Sequence, residues 1–240
     1  MAEPDAEPAR AGNLFPETRW TLVLAAKNQP ERRRQALEAL VRPRYKALYV
    51  IARKRGLAAS EAEDAVQGFL TQLLEGDLLT RLDPEKGRLR SYLKTALAHY
   101  LSNLWQQGRA EKRGGGQANL DLSDVEAWLS SDAPTPEVSF DRAWALQLFQ
   151  SALDELRHEF TTGRRGGPFE LLEELFGFAS APPYEELAKR HGMSIPQLKS
   201  FVHRTRVRLR QLLRERVADT LSDPAEIELE MRALFEVMAA

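Results

Sequence analysis

Between Ser194 and Arg216 the chain carries Lys199, His203, Arg204, Arg206, Arg208, Arg210, Arg214 and Arg216, against a single acid, Glu215. Cations packed this densely repel one another unless anions answer them, and the anion that comes in matching rows is nucleic-acid phosphate. One acid leaves most of these side chains without an i,i+4 partner on their own helix. A charged run is ordinarily a solvated helix face, so placement decides between the two readings. At helical spacing Leu198, Val202, Leu209 and Leu213 share an inward face, and Lys199, His203, Arg206, Arg210 and Arg214 form a neighbouring stripe, with Arg204 and Arg208 beyond it. Lys199, Ser200 and His203 lie in the N-terminal half, where base edges are read. The later arginines suit phosphates, which position a protein without specifying sequence.

The residues before this stripe supply its support. Tyr184 to His191 reads as a short helix stopped at Gly192, where the chain needs a residue tolerant of positive φ. Ser194 then caps a second helix, and Gln197 completes a capping box with it. Pro196 falls in the first turn, where its missing N–H costs nothing. A short helix, a glycine turn and a capped second helix make a helix-turn-helix, the element that seats one helix in the DNA major groove.

Enzymatic chemistry finds little footing. Cysteine is absent, which excludes disulfides, cysteine-ligated zinc and thiol nucleophiles and is compatible with a reducing cytoplasm. The four histidines, His99, His158, His191 and His203, are scattered, and no phosphate loop of the G-x-x-x-x-G-K-[ST] form is present. Glu173–Glu174 and Glu185–Glu186 are adjacent carboxylates, but neighbours on a helix diverge and serve better as solubilising surface. The reading is therefore of a protein that is not an enzyme and needs no cofactor or metal.

Hydrophobic residues at 43% and charged residues at 29% describe a chain that folds and stays soluble. No apolar run reaches the length of a membrane span, and residues 1–13 read as a polar, disordered tail rather than a secretory signal. Helical periodicity dominates, so the predicted fold class is all-α. Residues 14–113 form one helical domain. It holds a helix over Arg19 to Lys27 capped by Thr18, and a second from Glu31 to Val41 ended by Pro43. A third carries Tyr45, Leu48, Tyr49 and Ala52 and closes at Gly56. Ser60 and Glu63 read as a capping box for the next helix, whose stripe is Ala62, Ala65, Val66, Phe69, Leu70, Leu73 and Leu74. After a turn-rich loop at Asp83 to Gly87, a helix with Tyr92, Leu93, Ala96, Leu97, Tyr100, Leu101 and Leu104 runs towards Gly114. Residues 114–139 contain Asp121, Asp124, Glu126, Asp132 and Glu137 with no lysine or arginine, an acidic linker. Residues 140–217 form the helix-turn-helix domain, and residues 218–240 a helical tail with Ile227, Met231, Leu234 and Phe235 on one side.

This order of parts resembles the bacterial RNA polymerase sigma factors of the extracytoplasmic-function type. AEDAVQGFLTQLL, Ala62 to Leu74, is similar to the region-two helix that binds the clamp helices of the polymerase largest subunit. DPEKGRLRSYLKTALAHYLSNLWQQGRAEKR, Asp83 to Arg113, resembles the segment that melts and reads the minus-ten element. YEELAKRHGMSIPQLKSFVHRTRVRLRQLL resembles region four, which reads the minus-thirty-five element. The resemblance implies two small helical domains, region two-like and region four-like, joined by the acidic linker, in a cytoplasmic protein. Its partners would be core RNA polymerase, promoter DNA and, as a regulator, an anti-sigma protein.

On that resemblance Asp64 and Gln67 are the polymerase contacts. Lys86, Arg88, Arg90, Trp105, Arg109, Lys112 and Arg113 are the minus-ten contacts, because melted bases need an aromatic surface beside a basic track. Tyr92 reads as a core residue. Gln197, Lys199, Ser200, His203, Arg204, Arg206 and Arg210 are the recognition-helix contacts. The linker, in a family where it threads the polymerase's RNA path, suits a positively charged channel. Two positions depart from the family: Gly68 stands where an acid usually follows the glutamine, and Phe201 where arginine is common. Two rivals stay open: a free-standing helix-turn-helix regulator that binds operators as a dimer, and a sigma-like adaptor without initiation activity.

Overall fold

The structure, a computed structural model, describes residue 23 and residues 29–75, 88–108, 135–163, 168–176 and 182–239. All regular elements among the described residues are helical, and the one strand-like contact is an isolated antiparallel bridge between Arg88 and Leu221. The all-α expectation therefore holds. None of the helices described is long and apolar enough to cross a membrane. The helix expected over Arg19 to Lys27 lies outside the described residues except for Val23, which is helical and buried. The loop at 83–87 and residues 109–134, most of the linker, also lie outside them.

Helix α1, Pro30–Val41, starts with proline in its first turn and gives way at Pro43 to a 3-10 turn, Arg42–Arg44. Helix α2, Tyr45–Lys54, buries six consecutive residues, Ala47 to Ala52, so it is enclosed on every side rather than on one stripe. Gly56, at φ +95°, turns the chain out of it. Helix α3, Ala59–Glu75, buries Ala62, Ala65, Val66, Phe69 and Leu73 as the periodicity requires. Its start differs from the expected Ser60 capping box. Leu57 is drawn into the core, the helix opens ahead of Ser60, and the Ala58 N–H donates to the Glu61 carboxylate at 2.9 Å. Helix α4, Leu89–Gly108, presents Leu89, Leu93, Leu97 and Leu101 to the core, all fully buried.

Helix α5, Pro136–Thr161, begins before the expected domain boundary at 140. Thr135 caps it by accepting the Val138 N–H at 3.2 Å, and Pro136 occupies the first turn. Thr135 and Pro136, inside the expected linker, are a helix start: the threonine accepts a first-turn N–H and the proline has none to satisfy. Helix α5 is the spine of the molecule: it packs most extensively against α2 and also against the two C-terminal helices. Phe140, Trp144, Leu148, Leu153, Leu156 and Phe160 supply its buried surface. Helix α6, Phe169–Phe176, was not expected; it buries Leu171 and Leu172, and its Glu173 pairs with Arg157 at 2.6 Å.

Helices α7, Tyr184–Arg190, and α8, Ile195–Ala218, follow, then a 3-10 turn at Pro224–Glu226 and α9, Ile227–Ala239. The tail helix buries Ile227, Met231 and Leu234 against α5 and α8, while Phe235, expected on the same side, is 46% exposed. The buried residues on both sides of residues 109–134 belong to one hydrophobic cluster, with α5 between the two groups of helices.

Candidate nucleic-acid interface

The turn between α7 and α8 forms as its residues require. His191 ends the first helix, Gly192 sits at φ +61°, and Ser194 and Gln197 make the expected reciprocal box. The Gln197 N–H donates to Ser194 Oγ at 3.4 Å and the Ser194 N–H donates to Gln197 Oε1 at 2.8 Å. The amide oxygen of Gln197, named as a DNA contact, is thus committed to holding the helix start. Behind the turn Leu198, Phe201, Val202, Thr205, Leu209, Leu212, Leu213 and Val217 are buried. Phe201 packs edge-on to Phe160 of α5 with ring centroids 5.8 Å apart. An arginine there would bury a charge among apolar side chains, so phenylalanine at this position is a packing requirement.

The outward face carries Gln197, Lys199, Ser200, His203, Arg204, Arg206 and Arg210, all exposed. Arg204 donates to Ser200 Oγ at 2.5 Å, which fixes two of the polar groups side by side. Lys199, His203, Arg204 and Arg206 have no ion-pair partner among the described residues. The second half of the helix is different. Arg208 reaches the buried Glu159 of α5 at 2.5 Å and Glu215 at 3.5 Å, and the bond to Glu159 raises its pKa above the ordinary guanidinium value. Arg216 lies 3.6 Å from Glu155, Arg210 lies 3.6 Å from Glu228, and Arg214 also pairs with Glu228. The expectation that only phosphate could answer these cations is corrected here: three acids on α5 and α9 answer four of them across the fold.

Two arginines of the expected minus-ten track are also answered by acids within the fold. Arg90 is buried, donates a hydrogen bond to Glu230 of α9 at 3.1 Å and is ion-paired with Asp141 of α5 at 3.0 Å. Arg88 pairs with Glu226 at 2.9 Å and Glu230 at 3.3 Å, and the Glu226 hydrogen bond raises its pKa. Asp141 also takes Lys94 at 3.0 Å. Glu230 itself is 1% exposed. Spacing placed the two arginines together but could not show that they are enclosed by acids from a helix 140 residues away. Trp105 is 45% exposed on α4, as a base-stacking surface must be, and Tyr92 packs against the core as read. Lys86, Arg109, Lys112 and Arg113 lie outside the described residues.

On α3, Asp64 is exposed and Gln67 half-buried, so one of the two expected polymerase contacts is fully open. Tyr45 packs near them, and burial, reinforced by the charge of Glu63, pushes its phenol up to about 12. Gly68 faces Tyr100 of α4, whose hydroxyl occupies the space a Cβ would need. Any side chain there must displace the Tyr100 hydroxyl.

Glu226, Glu228, Glu230, Asp141 and Glu159 were not among the residues singled out. One signal was available: Glu230 stands with Ile227, Met231 and Leu234 at i, i+3, i+4, i+7 spacing, an acid within an apolar stripe, which requires a buried partner. Compared with models of protein families, with curated proteins and with solved structures, the chain matches none.

Proposed function

We propose that the chain is a transcription initiation factor of the sigma type, acting in the cytoplasm. In this reading a region two-like helical domain binds core RNA polymerase, and a region four-like helix-turn-helix reads upstream promoter DNA. The acidic segment between them follows the chain into the enzyme. The observation that carries the reading is the capped second helix of the helix-turn-helix. Lys199, Ser200, His203, Arg204 and Arg206 stand exposed on it while its opposite face is locked to α5. A reading helix needs both a free polar face and a rigid base, since base contacts tolerate little misplacement. The exposed Asp64 on α3 and the exposed Trp105 on α4 fit the polymerase and melted-strand roles.

A sigma-like adaptor without initiation activity is favoured by one feature: Gly68, facing the Tyr100 hydroxyl, lacks the acid that the resembled helix usually presents.

Run-off transcription separates these readings, using bacterial core polymerase, pooled genomic promoter fragments and the full chain, with Asp64→Arg alongside. Asp64 is exposed, so its replacement leaves the core intact. Discrete transcripts that depend on the chain and disappear with the variant are expected. Duplex-DNA binding without transcripts would move the assignment to the adaptor or to a free-standing regulator.

A further inference from the structure

Two rows of arginine meet one short helix in this fold. Glu226, at the entry to α9, and Glu230, one turn later, face the start of α4 and take Arg88 and Arg90. Glu228, on another side of α9, takes Arg210 and Arg214 of α8. Arg88, Arg90 and Arg210 are three of the cations that the sequence assigns to DNA. Carboxylate and phosphate use the same guanidinium N–H groups in the same forked geometry, so an arginine answered by one has fewer donors for the other. The backbone adds to the tie: the Leu89 N–H donates to the Thr220 carbonyl at 3.0 Å, beside the Arg88–Leu221 bridge.

We infer that α9 is a built-in competitor of DNA, a latch whose carboxylates hold arginines of both basic elements until phosphates replace them. The inference rests on the DNA-reading role proposed above. Its two halves differ in hold. The pairs to Glu228 are exposed, and salt or an arriving backbone displaces them readily. Glu230 is enclosed, and its release requires α9 to lift from α5. Stepwise opening follows: the α8 arginines exchange first, and the α4 arginines become available only when the helix moves.

The test uses the full chain and a fluorescein-labelled duplex of mixed sequence, titrated over a range of salt. The variant Glu226→Gln/Glu228→Gln removes two carboxylates at partly exposed positions. The control Glu75→Gln/Glu170→Gln removes the same charge from exposed sites elsewhere. Binding about tenfold tighter in the latch variant than in the control is expected, with a steeper salt dependence as freed arginines reach phosphates. Hydrogen exchange on the unaltered chain is the second measurement, and it decides alone if the variant does not fold. DNA should cost the Leu89 amide and the amides of α9 their protection. Equal gains in variant and control, or unchanged protection of α9 in a chain that binds DNA, would overturn the latch and leave the DNA role standing. No binding by any form would overturn both.

Discussion

Gly68 of α3 and Tyr100 of α4 meet so closely that the phenol hydroxyl fills the place of the missing side chain. The Tyr100 ring also tilts against Phe69, the next residue of α3, with centroids 5.7 Å apart. A glycine within a helix costs about 1 kcal/mol relative to alanine, and here the cost is repaid by helix contact. Gly68→Ala should therefore destabilise the chain by about 1–3 kcal/mol, despite alanine's better helix propensity. In a Tyr100→Phe background the same substitution should cost much less, since the colliding oxygen is gone. Urea unfolding of the four proteins in the cycle measures the coupling, and an additive result would show that the contact imposes nothing.

The basic residues of α8 divide by partner, and binding should divide with them. Lys199→Ala or Arg204→Ala should weaken duplex binding and lower the salt slope by about one unit each, with little change in stability. Arg208→Ala should remove a charge-assisted pair from the buried Glu159 and destabilise the fold. Its effect on the salt slope should be small. Equal slopes for Lys199→Ala and the parent chain would remove that lysine from the interface.

Tyr45 gives the molecule an alkaline signature. Its folded phenol keeps its proton to about 12, against 10.0 when unfolded, because burial and then Glu63 disfavour the phenolate. The unfolded chain thus loses this proton first as pH rises. The group's contribution is complete below pH 10.0 and drains away as pH climbs towards about 12. Tyr45→Phe should flatten that part of the stability profile relative to the parent chain. Urea midpoints followed from neutral pH into this range test it, and parallel profiles would show an ordinary phenol.

Local signals carried most of the secondary structure. The stripe of α3, the leucines of α4, the break at Pro43 and the box of Ser194 and Gln197 all depend on neighbours within one or two turns. The starts of α3 and α5 were misplaced for opposite reasons. Leu57 pulled one helix earlier through a tertiary contact, and Thr135–Pro136 resembled linker while satisfying a helix cap. The candidate site was legible where the helix face itself decides, at Lys199, Ser200, His203 and Arg204. It was not legible where distant carboxylates decide, at Arg88, Arg90 and Arg208, because charge pairing across the fold leaves no periodic trace.

The tie between Arg90 and Glu230 spans 140 residues. A ribosome that has released the start of α4 supplies Asp141 early, with α5, but must add all of α5 to α8 before Glu230 exists. Contacts of such long reach close late, after the loop between them has been gathered by nearer packing. Throughout synthesis, then, the nascent chain carries Arg88 as an open cation, available to ribosomal or messenger RNA, and that position acquires Glu226 and Glu230 only once α9 has emerged.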